Sequence, residues 1–128
     1  MLNNSGELLR ATQDAEDSLI GSLLIESTKG NREAIEQSIK LCLPTSFYFE
    51  NDRRLYQAMI SCQAPPHQIN TANELSTHNN LQTDDCSHMS YCISIVPCSL
   101  DYLHYARCVA SYSSQRSGNK KIHYRDTI

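Results

Sequence analysis

Apolar residues recur at spacings of three and four through Ala15, Leu19, Ile20, Leu23 and Leu24, which is the stripe of an amphipathic helix. Asp14 is placed to cap that helix, and Glu16, Asp17, Ser18 and Ser22 fall on its other face. Gly21 interrupts the stripe at a cost of about 1 kcal/mol relative to Ala, so the sequence predicts another helix packed closely against it. Gly30-Asn31 marks a stop, and Ile35, Ile39 and Cys42 repeat along a second helix from about Arg32 to Leu41 that Pro44 closes. Phe47 and Tyr48 read as aromatic anchors in the connector that follows. A third helix runs from about Asp52 to Cys62 with Leu55, Tyr56, Met59 and Ile60 on one side. Arg53 and Arg54 open it, where the helix dipole offers a cation nothing. They therefore predict either an exposed face or a tertiary ion pair, for which Glu16 is an available partner.

Pro65-Pro66 forces an extended linker, and Thr71-Ala72-Asn73-Glu74 matches a capping box that opens a short fourth helix. Asp84 or Asp85 starts a fifth helix with Met89, Cys92, Ile93 and Val96 inward, and Pro97 ends it. Ser99 is the expected cap of a sixth, which carries Tyr102, Ala106 and Val109 on one stripe with Leu103 and Ala110 beside it and runs to about Ser114. No stretch shows the period-two alternation of a strand. The predicted fold is all-α, a compact orthogonal bundle of about six short helices, the last being the start of a truncated helical hairpin. Residues 1–12 are expected to be a flexible N-terminus, 13–114 the folded domain, and 115–128 a basic, flexible tail. Leu19, Leu23, Phe47, Leu55, Met59, Ile93 and Val109 are the predicted core.

Composition narrows the function classes. A chain of 128 residues that is 40% hydrophobic fills one core. Its net charge of −3 gives no global attraction to a polyanion, so nucleic-acid contact would have to be local. Arg116, Lys120, Lys121 and Arg125, with Tyr112 and Tyr124 available for stacking, are the local candidate, and they read equally as a solvated terminus. No apolar run approaches membrane-spanning length, and the first residues lack a signal-peptide pattern. An intracellular, cytoplasmic setting is expected, with the six cysteines as free thiols.

Candidate chemistry is sparse. The glycines stand at positions 6, 21, 30 and 118, and none opens the Gly-x-x-x-x-Gly-Lys-Ser/Thr loop of a nucleotide-hydrolysing motor. Ser117-Gly118-Asn119-Lys120-Lys121 mixes similar residue types but lacks the second glycine and a preceding strand. Cys86, His88, Cys92, Cys98, His104 and Cys108 crowd one stretch, and His104 and Cys108 share a helix face at a spacing of four. Zinc ligation and a Cys/His nucleophile can both be drawn from them, but no Cys-x-x-Cys knuckle is present and Cys92 and Cys108 fit as small apolar residues. His67, His78 and His123 read as solvated side chains.

Four stretches in order carry a resemblance: Ala15-Glu16 with Ile20-Gly21, Ser46-Phe47-Tyr48, Arg53-Arg54-Leu55-Tyr56 followed by Ile69-Asn70, and Tyr105-Ala106. From about Leu8 to Arg116 the chain resembles the N-terminal helical domain of DnaB-type replicative DNA helicases. It departs from that family where Cys86-Ser87-His88 replaces a Gly-Gly, where Asn70 replaces an aspartate, and where Ser111-Tyr112-Ser113-Ser114 replaces a charged helix.

The resemblance implies a non-catalytic head domain that takes part in DNA replication. It would contribute to ring assembly with helicase subunits or by self-association, and would contact primase or a helicase loader. DNA contact would be weak or indirect, with no membrane association. No cofactor is expected in this chain, since ATP and Mg would belong to a separate motor domain. The pairing hairpin is represented by its first part alone, so the expected self-contact uses Tyr102, Tyr105, Val109 and Tyr112. Two other readings remain open: a small zinc- or thiol-dependent protein centred on Cys86 to Cys108, and a free-standing regulator that mimics the helicase head.

Overall fold

The computed structural model describes residues 5–127, with side chains described for residues 6–118. Among these residues six helices and no strands are present: α1 (Ser5–Thr28), α2 (Glu33–Leu41), α3 (Glu50–Ser61), α4 (Gln68–Thr77), α5 (Asp85–Ile95) and α6 (Tyr102–Thr127). Short 3₁₀ turns at Pro44–Ser46 and Ser99–Asp101 lead into α3 and α6.

The organising element is α1. Helices α5 and α6 make the most extensive contacts with it, and α2, α3 and the Ser99–Asp101 turn add smaller ones. From Ala15 to Ser27 nearly every residue is buried, including Glu16, Asp17, Ser22 and Glu26. This corrects the expected polar outer face: α1 is a central helix, and its polar side chains point into the protein rather than into water. It also begins nine residues before Asp14, the expected cap. Thr12, within the expected flexible terminus, is fully buried.

The predicted core is in place. Leu19, Leu23, Phe47, Leu55, Met59 and Val109 are buried, and Ile93 packs against them half-buried. Phe47 lies against Tyr56 with ring centroids 4.6 Å apart. The Tyr56 hydroxyl donates to the Cys42 carbonyl at 2.7 Å, so the Ser38 hydroxyl at 2.8 Å must donate to it. This pair of bonds satisfies the only polar atom of a fully buried tyrosine.

Helix ends follow local chemistry. After α1, Gly30 takes φ of +90° while its amide donates to Ser27 and the Asn31 amide to Glu26, the Schellman arrangement that favours glycine. Asn79 does the same after α4, with φ of +53° and the Asn80 amide donating to Leu75. Two expected caps are corrected. The cap of α4 is His67, whose Nδ1 accepts from the Asn70 amide, while Thr71 sits buried inside the helix and donates to the Pro66 carbonyl. Ser99 opens a 3₁₀ turn and donates to Glu26 at 2.6 Å. Helix α6 continues past Ser114 to Thr127. The side chains of Lys120, Lys121, His123, Tyr124 and Arg125 lie outside the described residues.

Gly21 is where α5 comes closest to α1. A Cβ there would stand 2.1 Å from the Cys92 carbonyl oxygen and 2.8 Å from a Val96 methyl. The Gly21→Ala substitution gains about 1 kcal/mol of helix propensity but must push backbone aside, an overpacking cost of about 1–3 kcal/mol or more. We predict a net loss of stability for Gly21→Ala in chemical denaturation, and no loss for Gly118→Ala, where a Cβ meets nothing within 4 Å.

Candidate functional site

Three buried polar clusters link the helices, and two of them are built on charged side chains of α1, which burial forces to find partners on other elements. In the first, Glu16 accepts the backbone amides of Tyr48 at 2.6 Å and Phe49 at 3.0 Å, where the chain turns into α3. Burial pushes the Glu16 carboxyl up to about 7, against the pull of those two amides and of Arg116. Arg116 completes the cluster: it donates to the Ser46 carbonyl at 3.0 Å and to Thr12, and lies 5.2 Å over the Tyr48 ring. The expected basic tail thus begins with a residue docked on the body of the domain. Glu16 is not the partner of Arg53 or Arg54.

Those arginines belong to a second cluster. Arg54 grips Asp85 through both guanidinium arms, at 3.1 and 2.7 Å, and also donates to the Asn80 carbonyl. Both partners are buried, a bidentate pair that locks the start of α5 to α3. Burial opposes the charge on Asp85, but Arg54 and the Gln82 amide outweigh it and hold the carboxyl below its ordinary value. Arg53 instead donates to Glu50 and to the Phe47 carbonyl. A cleft of 310 Å³ opens beside this cluster, lined in part by Arg53, Arg54, Glu74 and His78. Each of these four already has a side-chain partner within the chain, His78 with Glu74 at 2.8 Å.

The third cluster joins α1, α3 and α5. His88 Nε2 donates to Asp52 at 2.7 Å and lies 3.4 Å from Asp17 Oδ1 and 3.5 Å from Cys92 Sγ. Asp17, Asp52 and Cys92 are buried, and the four ligand atoms lie within 4.8 Å of one another. Asp17 and then Asp52 push the His88 imidazole up to about 12. Burial holds Asp52 above the usual carboxylate range, while for Asp17 the same burial is overcome by His88 and by the Asp52 carboxyl, so it stays below. Burial drives the Cys92 thiol up to about 11.

Among the residues predicted for contact or metal, the structure separates surface from core. Tyr102 and Val109 are buried, Tyr102 donating to Gln37 at 2.5 Å. The pair is thus occupied inside the chain, a correction to the expected self-contact, and Tyr105 and Tyr112 remain half-buried beside them. Of the Cys/His stretch, His88 and Cys92 come together, but their companions are Asp17 and Asp52, which sequence reasoning placed on a solvated face and at a helix start. His104 and Cys108 face each other at 3.6 Å on the surface. Cys86 and Cys98 are exposed, and all six cysteines are free.

The DnaB-like helicase N-terminal domain family matches residues 9–111. The crystal structure of the N-terminal domain of DnaB helicase from Mycobacterium tuberculosis shares the fold, with a TM-score of 0.73 at 23% identity over 88% of this chain and 83% of that one. The curated proteins compared give no match.

The clusters predict large, specific stability losses. Asp85→Asn strands a buried guanidinium and is expected to cost about 3–5 kcal/mol. Because the carboxyl is lowered in the fold, its contribution is full above the ordinary value of 3.8 and disappears as the pH falls through the folded value. Acid melts of the wild type should therefore show a loss of stability below that point which Asp85→Asn lacks. Glu16→Gln turns one acceptor into a donor facing the Tyr48 and Phe49 amides, and should cost about 1–3 kcal/mol at neutral pH by denaturant titration.

Proposed function

The chain belongs to the DnaB-like helicase N-terminal domain family, and on that premise we propose that it acts in DNA replication as a protein-binding head domain. It contributes to assembly with helicase subunits and to contacts with primase or a helicase loader. The match over residues 9–111, on a fold shared with a helicase N-terminal domain, is the observation that carries this reading.

The internal chemistry supports a binding role rather than a catalytic one. The buried acidic side chains Glu16, Asp17, Glu26 and Asp85 are directed at backbone amides or at cationic and hydroxyl partners within the chain. The sequence carries no phosphate loop, and nucleotide chemistry is assigned to a separate motor domain. Self-association uses Tyr105 and Tyr112 on α6, the two members of the expected contact that the core leaves partly free. Any DNA contact is weak or indirect and comes from the basic residues beyond Arg116. No described helix is long and apolar enough to cross a membrane, and we place the domain in the cytoplasm with the replication machinery.

Three measurements test this. Purified chain should show no ATP turnover. Light scattering across concentration should give a monomer or a weak dimer, weakened further by Tyr105→Ala with Tyr112→Ala. Pull-downs should capture primase or helicase loader from the same source. ATP hydrolysis abolished by a point change in this chain would overturn the non-catalytic role, and binding to neither protein by a folded chain would overturn the proposed partners.

A further inference from the structure

Three helices bring four ligand-type atoms to one point: Asp17 Oδ1 from α1, Asp52 Oδ1 from α3, and His88 Nε2 with Cys92 Sγ from α5. The spacing of four puts His88 and Cys92 on one face of α5, one turn apart. The cluster is over-supplied with acceptors. One imidazole N–H can be directed at one atom, and it goes to Asp52 at 2.7 Å. Asp17 Oδ1, buried and 3.4 Å from the same nitrogen, is ion-paired with it but receives no hydrogen bond. Cys92 Sγ stands 3.5 Å from that nitrogen as well. A buried carboxylate oxygen that receives no hydrogen bond is left with part of its desolvation cost uncompensated.

We propose that Asp17, Asp52, His88 and Cys92 form a binding site for one divalent transition-metal ion of the zinc class, which ties α1, α3 and α5 together. An ion at the centre replaces the single proton on Nε2 and serves all four atoms at once. Zinc bonds of about 2.0–2.3 Å in a tetrahedron set ligand edges of about 3.4 Å from nitrogen to oxygen and about 3.6 Å from nitrogen to sulfur. The distances of His88 to Asp17 and to Cys92 already have those lengths. Asp52 must withdraw from His88 by roughly 0.7 Å, as its hydrogen bond is exchanged for a metal bond.

The donor set selects the ion. A thiolate and an imidazole favour zinc, cobalt or similar ions over magnesium and calcium, which take oxygen ligands. Four protein ligands leave no open position, which marks a structural site rather than a catalytic one. Binding requires that the imidazole nitrogen and the thiol facing the ion give up their protons to solvent. The partly exposed edge of His88 is the route of entry; its side chain is 18% accessible, against 4% or less for the two carboxylates. This inference is independent of the helicase reading, because it concerns only the interior of the domain.

Cobalt titration of chelator-stripped, reduced protein tests it. We expect one equivalent to bind with the intense visible bands of tetrahedral Co²⁺ and a thiolate-to-metal charge-transfer band. Added Zn²⁺ should bleach both and raise the melting temperature. Cys92→Ser should lose the charge-transfer band, and His88→Gln should weaken binding by more than the roughly 10–100-fold that outer-sphere changes cost. Cys98→Ser and Cys108→Ser should leave the spectrum unchanged. An intact spectrum in Cys92→Ser, or no saturable binding by the wild type, would overturn the site. If both buried variants fail to fold, the wild-type spectrum decides: tetrahedral bands with thiolate charge transfer support the site, and an octahedral spectrum without it overturns it.

Discussion

A helix with charged side chains on the wrong side of a solvent boundary is the constraint from which the rest of this domain follows. α1 is enclosed by four others, yet it carries Glu16, Asp17 and Glu26 into the interior. Removing an unpaired carboxylate from water costs several kcal/mol even after relaxation, so each acid must be met by a donor from a specific place in the chain. Glu16 takes the amides before α3, Asp17 faces His88 of α5, and Glu26 accepts from Asn31 after its own helix and from Ser99 before α6. Hydrophobic burial draws these elements around α1. The polar contacts decide where each connector attaches.

The family pattern has a physical meaning in these terms. Ala15-Glu16 and Phe47-Tyr48, distant in sequence, are the two halves of one contact, in which Glu16 holds the turn that drives Phe47 into the core against Tyr56. The arginine pair in the first turns of α3 divides its work: Arg53 fastens the Phe47 carbonyl and Arg54 holds Asp85 at the start of α5. Gly21 allows α5 to lie against α1 at backbone distance. These residues build a rigid body. The functional surface is then what that body leaves outside, which suits the protein-binding role we propose for it.

Much of the fold was legible from periodicity and breakers alone. The apolar stripes located the core residues, Pro44 and Pro97 closed the helices before them, and Gly30 ended α1 in the left-handed turn it is suited to. What stayed illegible was the sign of the polar positions. Glu16, Asp17 and Ser22 look like a solvated face because nothing local distinguishes an exposed acid from one that will meet a backbone amide thirty residues away. Thr71 fitted a capping box, but the linker from Pro65-Pro66 feeds helix geometry earlier and His67 takes the cap. Likewise, the crowded Cys/His stretch suggested ligands from within itself. The structure instead pairs His88 and Cys92 with carboxylates from α1 and α3, a grouping that only tertiary packing creates.

The central claim is that α1, through its buried acids, fastens the connectors as firmly as hydrophobic packing fastens the helices. Native-state amide hydrogen exchange measures this directly at Tyr48 and Phe49, which lie outside any helix and whose amides have no partner but Glu16 among the described residues. The account predicts that both exchange only with global unfolding, with protection matching the interior amides of α1. Exchange at the rate of an open surface loop, while α1 remains protected, would contradict it.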